Sequence, residues 1–220
     1  MPHGPARIIL VTGASRGIGA EVARQLASAD THVIVNYRVK SQRAEAIAAA
    51  IRSAGGQAST LAADISDEAA AAAMMDSIAA RFGRLDALIL NASGGLQLGA
   101  DPGYAMRLNR DAQRRLALLA TPLMPAGGRI VFATSHQSHF FPHKAVPKGY
   151  SAVAASKRAG ETALYAMRSE FDRAGVRLTV VSGDLVDGAA SVAAAIANAA
   201  TTPNPSGIVY VGGADYLMTA

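Results

Sequence analysis

The sequence predicts a doubly wound α/β fold, a parallel sheet of about seven strands covered by helices on both faces. Three observations lead there. Short β-branched or leucine-rich runs alternate with long alanine-rich stretches of helical periodicity; the runs are apolar throughout; and several of the alanine-rich stretches end in glycine. A run without in-and-out alternation is a strand buried on both faces, and right-handed crossovers then set such strands parallel with helices on each side.

Residues 7–11, RIILV, form the first strand, and TGASRGIG leads from it into a helical stretch over 19–29. HVIVN at 32–36 is the second strand, followed by a helix over 41–55; ASTLAA at 58–63 is the third, followed by a helix over 68–83; LDALIL at 85–90 is the fourth. GRIVFATS at 128–135, VRLTVVS at 176–182 and GIVYVGG at 207–213 complete the set, with a last helix ahead of the final strand. Between the fifth and sixth strands lie a helical stretch, 155–175, and the segment HQSHFFPHKAVPKG, read as a loop without regular structure. Loops of that length tend to be functional or mobile. The alanine tracts suit helices packed closely on a sheet. With no internal repeat or linker in view, residues 1–220 are expected to form one domain.

Half of the residues are hydrophobic and 17% are charged, which suits a packed chain rather than a disordered one. No apolar run approaches the roughly 20 residues of a membrane-spanning helix, and MPHGPAR passes into the first strand without room for a signal peptide. The absence of cysteine excludes disulfides, thiol nucleophiles and cysteine-ligated metals, and makes a cytoplasmic setting the expectation. A net charge of +5 suits an anionic partner. Because the basic residues are scattered and aromatics make up only 5%, that partner is expected to be a small molecule and not a nucleic acid.

In TGASRGIG, Gly13 allows a tight exit from the strand, Gly17 lets backbone approach a pyrophosphate, and Gly19 permits close helix–sheet packing, with the helix N-terminus facing the anion. Together with NASG at Asn91–Gly94 and ASK ahead of a long helix, the motif resembles the short-chain dehydrogenase/reductase family, in order and over essentially the whole chain. The resemblance implies a Rossmann-type fold, a nicotinamide dinucleotide, hydride transfer to or from a substrate carbon, and a homodimer or homotetramer. It places Ser15, Arg16 and Ile18 with the three glycines along the cofactor, Asp64 and Ile65 beside the adenine, Asn91, Ala92 and Ser93 at the fourth strand's end, and Gly183 after the sixth. Where the family usually has NNAG this chain reads LNAS, with Leu90 and Ser93 at the changed positions. The second strand ends in VNYRVKSQR, with no acid to bond a free ribose hydroxyl. Arg38 and Lys40 are placed to meet a 2′-phosphate and Arg16 joins them by resemblance, so NADP(H) is the expected cofactor. Taken singly, such charges also read as solvated surface groups.

Reduction of a carbonyl needs a hydride from one side and a donor for the oxygen that becomes negative. In the family the donor is a tyrosine four residues before a lysine, which lowers the phenol's pKa and holds the nicotinamide ribose. Lys157 matches the lysine, yet the tyrosine position holds Val153. Two readings stay open. Either catalysis is impaired, leaving a nucleotide-binding protein whose cofactor occupancy controls a partner, or Tyr150 in GYSAVAASK supplies the phenol. Residues seven apart are nearly in line on a helix, which displaces this phenol by roughly 4.5 Å along the axis from the usual site.

The Y-x6-K spacing resembles that of the enoyl-thioester (enoyl-acyl carrier protein) reductases of fatty-acid synthesis, a divergent branch of the family. Hydride addition at the β-carbon of an enoyl thioester puts negative charge on an oxygen two bonds farther away than in a ketone, so the donor shifts. By resemblance, Ser135 hydrogen-bonds the substrate oxygen and Asn109 supports a proton-relay water. His136, His139 and His143 read first as loop-surface residues, with a role as auxiliary acids near neutral pH as the alternative; their spacing in a proline-containing loop is not a helical ligand pair, and no metal is expected. The family usually has PG and a helical lid after the sixth strand, whereas SGDLVDG runs at once into the last helix, so the lid is expected to be short or missing.

Overall fold

Strand order decides where a ligand can sit, and it is set by seven strands in one all-parallel sheet. The computed structural model describes residues 7–94, 101, 103–183 and 188–218. Its strands are β1 (Arg7–Val11), β2 (Thr31–Tyr37), β3 (Gln57–Ala62), β4 (Ala87–Leu90), β5 (Arg129–Ser135), β6 (Arg177–Gly183) and β7 (Ile208–Val211), in the order β3-β2-β1-β4-β5-β6-β7. Strand β1 pairs on both sides, with Leu10 opposite Ile34 in β2 and Leu88 in β4. From β1 the chain winds outward through β2 to β3, then returns to β4 and winds the other way. That reversal opens a crevice beyond the carboxyl ends of β1 and β4.

Helices α1 (Gly17–Gln25), α2 (Ser41–Ser53) and α9 (Ala189–Thr201) cover one face, where Ile9, Val33, Val35, Ile89 and Val131 are buried. Helices α3 (Glu68–Phe82), α5 (Ala112–Ala120) and α7 (Ser151–Ala166) cover the other, over Leu10, Leu88, Leu90, Phe132 and Val180. Neighbouring strand residues therefore enter opposite cores, which is why the strands read as unbroken apolar runs. Each such side chain contributes about 1.5–3 kcal/mol on burial. Helix α3 shows how local chemistry sets the boundaries. Asp67 caps it by accepting from the Ala70 N–H at 2.8 Å, and Gly83 ends it in the left-handed region.

The segment expected to be irregular instead begins with a helical turn, α6 (His136–His139), because the Ser135 hydroxyl accepts from the Ser138 N–H at 3.3 Å and caps it. The helix expected over 155–175 starts earlier, at Ser151, and divides at Met167 into α7 and α8 (Arg168–Arg173). Before α5, the short α4 (Tyr104–Met106) runs through a π-helical turn, Arg107–Asp111, that contains Asn109. A last helix, α10 (Ala214–Met218), follows β7. The expected short lid falls on residues 184–187, outside the described residues; α9 begins directly after Gly188. Among the described residues no helix is long and apolar enough to cross a membrane.

Candidate active site

The glycine turn sits at the mouth of the crevice. Gly13 and Gly17 adopt φ of 64° and 57°, which side-chain-bearing residues rarely adopt, and a Cβ at Gly17 would meet nothing within 4 Å. The space over Gly17 is open. A Cβ on Gly19 would lie 2.4 Å from Asn91 Nδ2 and 2.8 Å from the Gly13 carbonyl, so the helix start packs too closely for a side chain. Helix α1 has no side-chain cap at Arg16, which leaves its first-turn N–H groups for an anion.

Two buried polar residues hold this turn. Asn36 accepts from the Gly13 N–H at 3.2 Å and donates Nδ2 to the Leu61 and Ala63 carbonyls at 3.2 Å each. The Thr12 hydroxyl donates to the Ile89 carbonyl and accepts from the Asn91 and Ala92 N–H groups, all at 3.0 Å, while Asn91 Nδ2 donates to the Thr12 carbonyl at 2.9 Å. The ends of β1, β2, β3 and β4 are thereby locked in register around the crevice. Leu90, standing where the family has an asparagine, is buried in the core, and the side chain of its neighbour Asn91 makes the strand-end hydrogen bond. No sequence motif marks Asn36 or the hydroxyl of Thr12; the one signal for Asn36 is a single polar residue closing the apolar run HVIVN.

Arg38, at the end of β2, donates to the Tyr104 phenol oxygen and lies 3.8 Å from Asp64 Oδ2. Asp64 Oδ1 accepts from the Ser66 N–H and hydroxyl at 2.9 and 2.6 Å, and Ile65 is buried beside it. Arg16 and Lys40 are exposed, Ser15, Ile18, Asn91 and Ala92 are partly buried, and Ser93 is exposed. Gly183 packs its Cα against Val192 of α9, where a Cβ would come within 2.5 Å of the valine side chain. Open space over Gly17, an uncapped helix start and cations at the ends of β2 and α1 fit a dinucleotide with a 2′-phosphate.

At the other end of the crevice, Tyr150 is the residue that enters α7, its carbonyl accepting from the Ala154 N–H at 2.9 Å. The phenol therefore belongs to the helix stripe that continues through Val153 to Lys157, as the spacing predicts. Its oxygen lies 3.4 Å from the hydroxyls of both Ser135 and Ser138, which are 3.0 Å from each other. No sequence motif marks Ser138. Its place depends on the α6 turn, and the i, i+3 spacing from Ser135 was the only signal. Burial raises the phenol's pKa and is the largest single influence, but the Lys157 ammonium and the two serine hydroxyls together outweigh it and leave the phenol below its ordinary value. Burial also lowers the pKa of Lys157, opposed by the negative phenolate it would face. Val153 is buried, 4% exposed, and offers only a packing surface.

Asn109 holds the frame behind this centre. Its amide donates to the Gly94 carbonyl and the Ser156 hydroxyl, each at 2.9 Å, and accepts from the Gly94 N–H at 3.2 Å. Ser156 in turn donates to the Val153 carbonyl at 2.8 Å. The side chain thus ties the β4 exit to α7. Of the three histidines, His136 is buried with both ring nitrogens engaged, Nδ1 with the Ser182 hydroxyl at 2.8 Å and Nε2 with the Gly212 carbonyl at 3.1 Å. Since a carbonyl can only accept, Nε2 carries a proton, and His136 ties β5 to the turn after β7. His139 is held by buried Glu161 at 2.9 Å and by Tyr210 at 3.1 Å, and His143 is exposed. The first two are tied into the fold by these contacts instead of standing on the loop surface as expected. Among the described residues no group of three or more His, Cys, Asp or Glu is placed to hold a metal ion.

A family model described as short chain dehydrogenase matches residues 7–198. The 1-cyclohexenylcarbonyl-CoA reductase of Streptomyces collinus is 35% identical over 189 residues, 82% of this chain and 65% of that protein. A probable tetrahydroxynaphthalene reductase of Zymoseptoria tritici is 35% identical over 162 residues, 71% of this chain and 59% of that one. The chain spans a little under two thirds of the length of these curated relatives. Among solved structures, a metagenomic short-chain oxidoreductase in complex with NADP superposes with a TM-score of 0.82 at 28% identity, covering 94% of this chain and 97% of that one. A short chain dehydrogenase from Burkholderia cenocepacia, also in complex with NADP, gives 0.80 at 28% identity over 95% and 97%.

Proposed function

The chain belongs to the short-chain dehydrogenase family, and from that premise we propose that it is an NADPH-dependent reductase of an activated carbon–carbon double bond, an enoyl thioester, or of a carbonyl. Bound NADPH supplies the hydride. Gly13, Gly17 and the α1 N-terminus hold the pyrophosphate, Arg38 with Arg16 and Lys40 meets the 2′-phosphate, and Lys157 holds the nicotinamide ribose. The Tyr150 phenol donates its proton to the substrate oxygen as negative charge develops there, with Ser135 and Ser138 orienting the phenol and Lys157 stabilising the phenolate left behind. For a carbonyl, hydride at carbon and proton at oxygen complete the two-electron reduction; for an enoyl thioester, hydride at the β-carbon and proton at oxygen give the enol, whose proton moves to the α-carbon to form the saturated thioester.

The observation that carries the reading is the Tyr150 oxygen, 3.4 Å from Ser135 and with its pKa lowered by Lys157 although it lies seven residues before that lysine. The displaced donor and the name of the Streptomyces relative favour the enoyl thioester over the ketone. NADPH oxidation followed with panels of enoyl thioesters and ketones tests both points. Tyr150→Phe is expected to lower the rate about 100- to 10,000-fold with NADPH binding retained; full activity in that variant removes Tyr150 as donor. Buried Val153 at the family's tyrosine position favours a second reading, a cofactor-binding protein with little catalysis that controls a partner. Tight NADPH binding with no turnover on either panel would select it. By family resemblance the enzyme is read as a homodimer or homotetramer, which light scattering decides.

A further inference from the structure

Arg38 and Tyr104 are 66 residues apart in the chain and meet across the crevice. One is rooted at the end of β2, the other at the start of α4, which follows β4 in the chain; β2 and β4 flank β1 on its two sides. The Tyr104 ring is seated near Gly94, where a Cβ would lie 3.6 Å from its Cε1. Its phenol oxygen accepts from Arg38 Nη1, and the guanidinium carbon stands 5.9 Å from the ring centroid. Asp64 is 3.8 Å from the same Nη1. Both neighbours therefore engage one corner of the guanidinium. The opposite edge, Nε and Nη2, makes no hydrogen bond among the described residues. That edge is the fork that pairs with a phosphate through two parallel hydrogen bonds.

We propose that Tyr104 is a positioning residue for Arg38 and thereby sets the preference for a 2′-phosphorylated dinucleotide; this rests on the cofactor reading above. The physical reason is conformational. A half-exposed arginine on a long stem samples many rotamers and loses that freedom when it grips a phosphate. Holding Nη1 on a phenol rooted in a different element restricts the guanidinium before the ligand arrives, and it leaves the bidentate edge outward. An aspartate alone at 3.8 Å attracts the charge without fixing the plane. Among the described residues, Arg16 and Lys40, both exposed, have no phenol partner of this kind.

The test measures NADPH and NADH dissociation constants by calorimetry on the whole chain for wild type, Tyr104→Phe, Arg38→Ala and the double variant. Tyr104→Phe keeps the ring and removes only the oxygen. NADPH binding is expected to weaken about 5- to 10-fold, NADH binding to stay within about twofold, and the phenol's removal to have no further effect once Arg38 is alanine. Equal weakening of both dinucleotides in Tyr104→Phe, with wild type still preferring NADPH, overturns the role of Tyr104 alone. A further loss in the Arg38→Ala background overturns it too, because the phenol would then act without the arginine. If wild type binds NADH as tightly as NADPH, the cofactor reading and this inference fail together.

Discussion

The proton on Tyr150 is held between burial, which keeps it in place, and three groups that favour its departure: Lys157, Ser135 and Ser138. In the proposed reduction the donor state has the phenol protonated and the ammonium charged. Both members of the pair have lowered pKa values, so the first proton to leave as pH rises does so below the ordinary phenol value of about 10. The rate at saturating substrate is therefore expected to fall on the alkaline side, with the midpoint below that value. Tyr150→Phe removes the donor, so its residual rate should lose the phenol's contribution to that fall. An alkaline limb unchanged in position and depth in the variant assigns it to other groups. Counting along a helix was enough to place Tyr150 and Lys157 on one stripe. It was not enough to find Ser138, which reaches the phenol only because α6 forms, nor the Arg38 contact with Tyr104, since no local pattern encodes the distance between residues so far apart in the chain.

Helix α7 carries Val153, Ser156 and Lys157, with Tyr150 at its entry, and its position is set by contact with the π-helical turn around Asn109. The point of closest approach is Gly160, where a Cβ would lie 2.0 Å from the Asn109 carbonyl oxygen. That atom is backbone in a helix fixed by its own hydrogen bonds, so it cannot swing aside. Gly160→Ala is expected to destabilise the fold by about 1–3 kcal/mol, as overpacking does. In a chain of this size that lowers the melting midpoint by roughly 2–4 °C per kcal/mol. Because Asn109 also donates to Ser156, the same variant should reduce turnover more than a surface alanine of equal stability cost. An unchanged midpoint by calorimetry would mean that the two helices have room to part. The strands were legible from sequence because both faces are buried, and α1 because its glycine turn has one geometric use. The π-helical turn, the break at Met167 and the α6 turn were not, since each arises from tertiary packing or from a cap, and not from periodicity.

At the scale of the whole molecule, the strand order sends every functional segment to one edge of the sheet. The carboxyl ends of β1, β2, β3 and β4 carry the glycine turn, Arg38, Asp64 and Asn91, and the end of β5 carries Ser135. A molecule of net charge +5 surrounds that edge with a field that draws anions in, and Arg16, Arg38 and Lys40 are exposed within it. A 2′-phosphate adds about 1.5 to 2 negative charges to the dinucleotide near neutral pH, taking a phosphomonoester as the guide. The pyrophosphate, by contrast, is common to both cofactors and meets backbone N–H groups. Raising salt from about 0.1 M to about 1 M shortens the screening length from about 10 Å to about 3 Å. If exposed cations provide the discrimination, NADPH binding must weaken with salt more steeply than NADH binding, and the preference must shrink as salt rises. Calorimetric titrations of both dinucleotides across that range measure the two slopes. Parallel slopes would move the discrimination away from Arg16, Arg38 and Lys40 and onto neutral hydrogen bonds in the crevice.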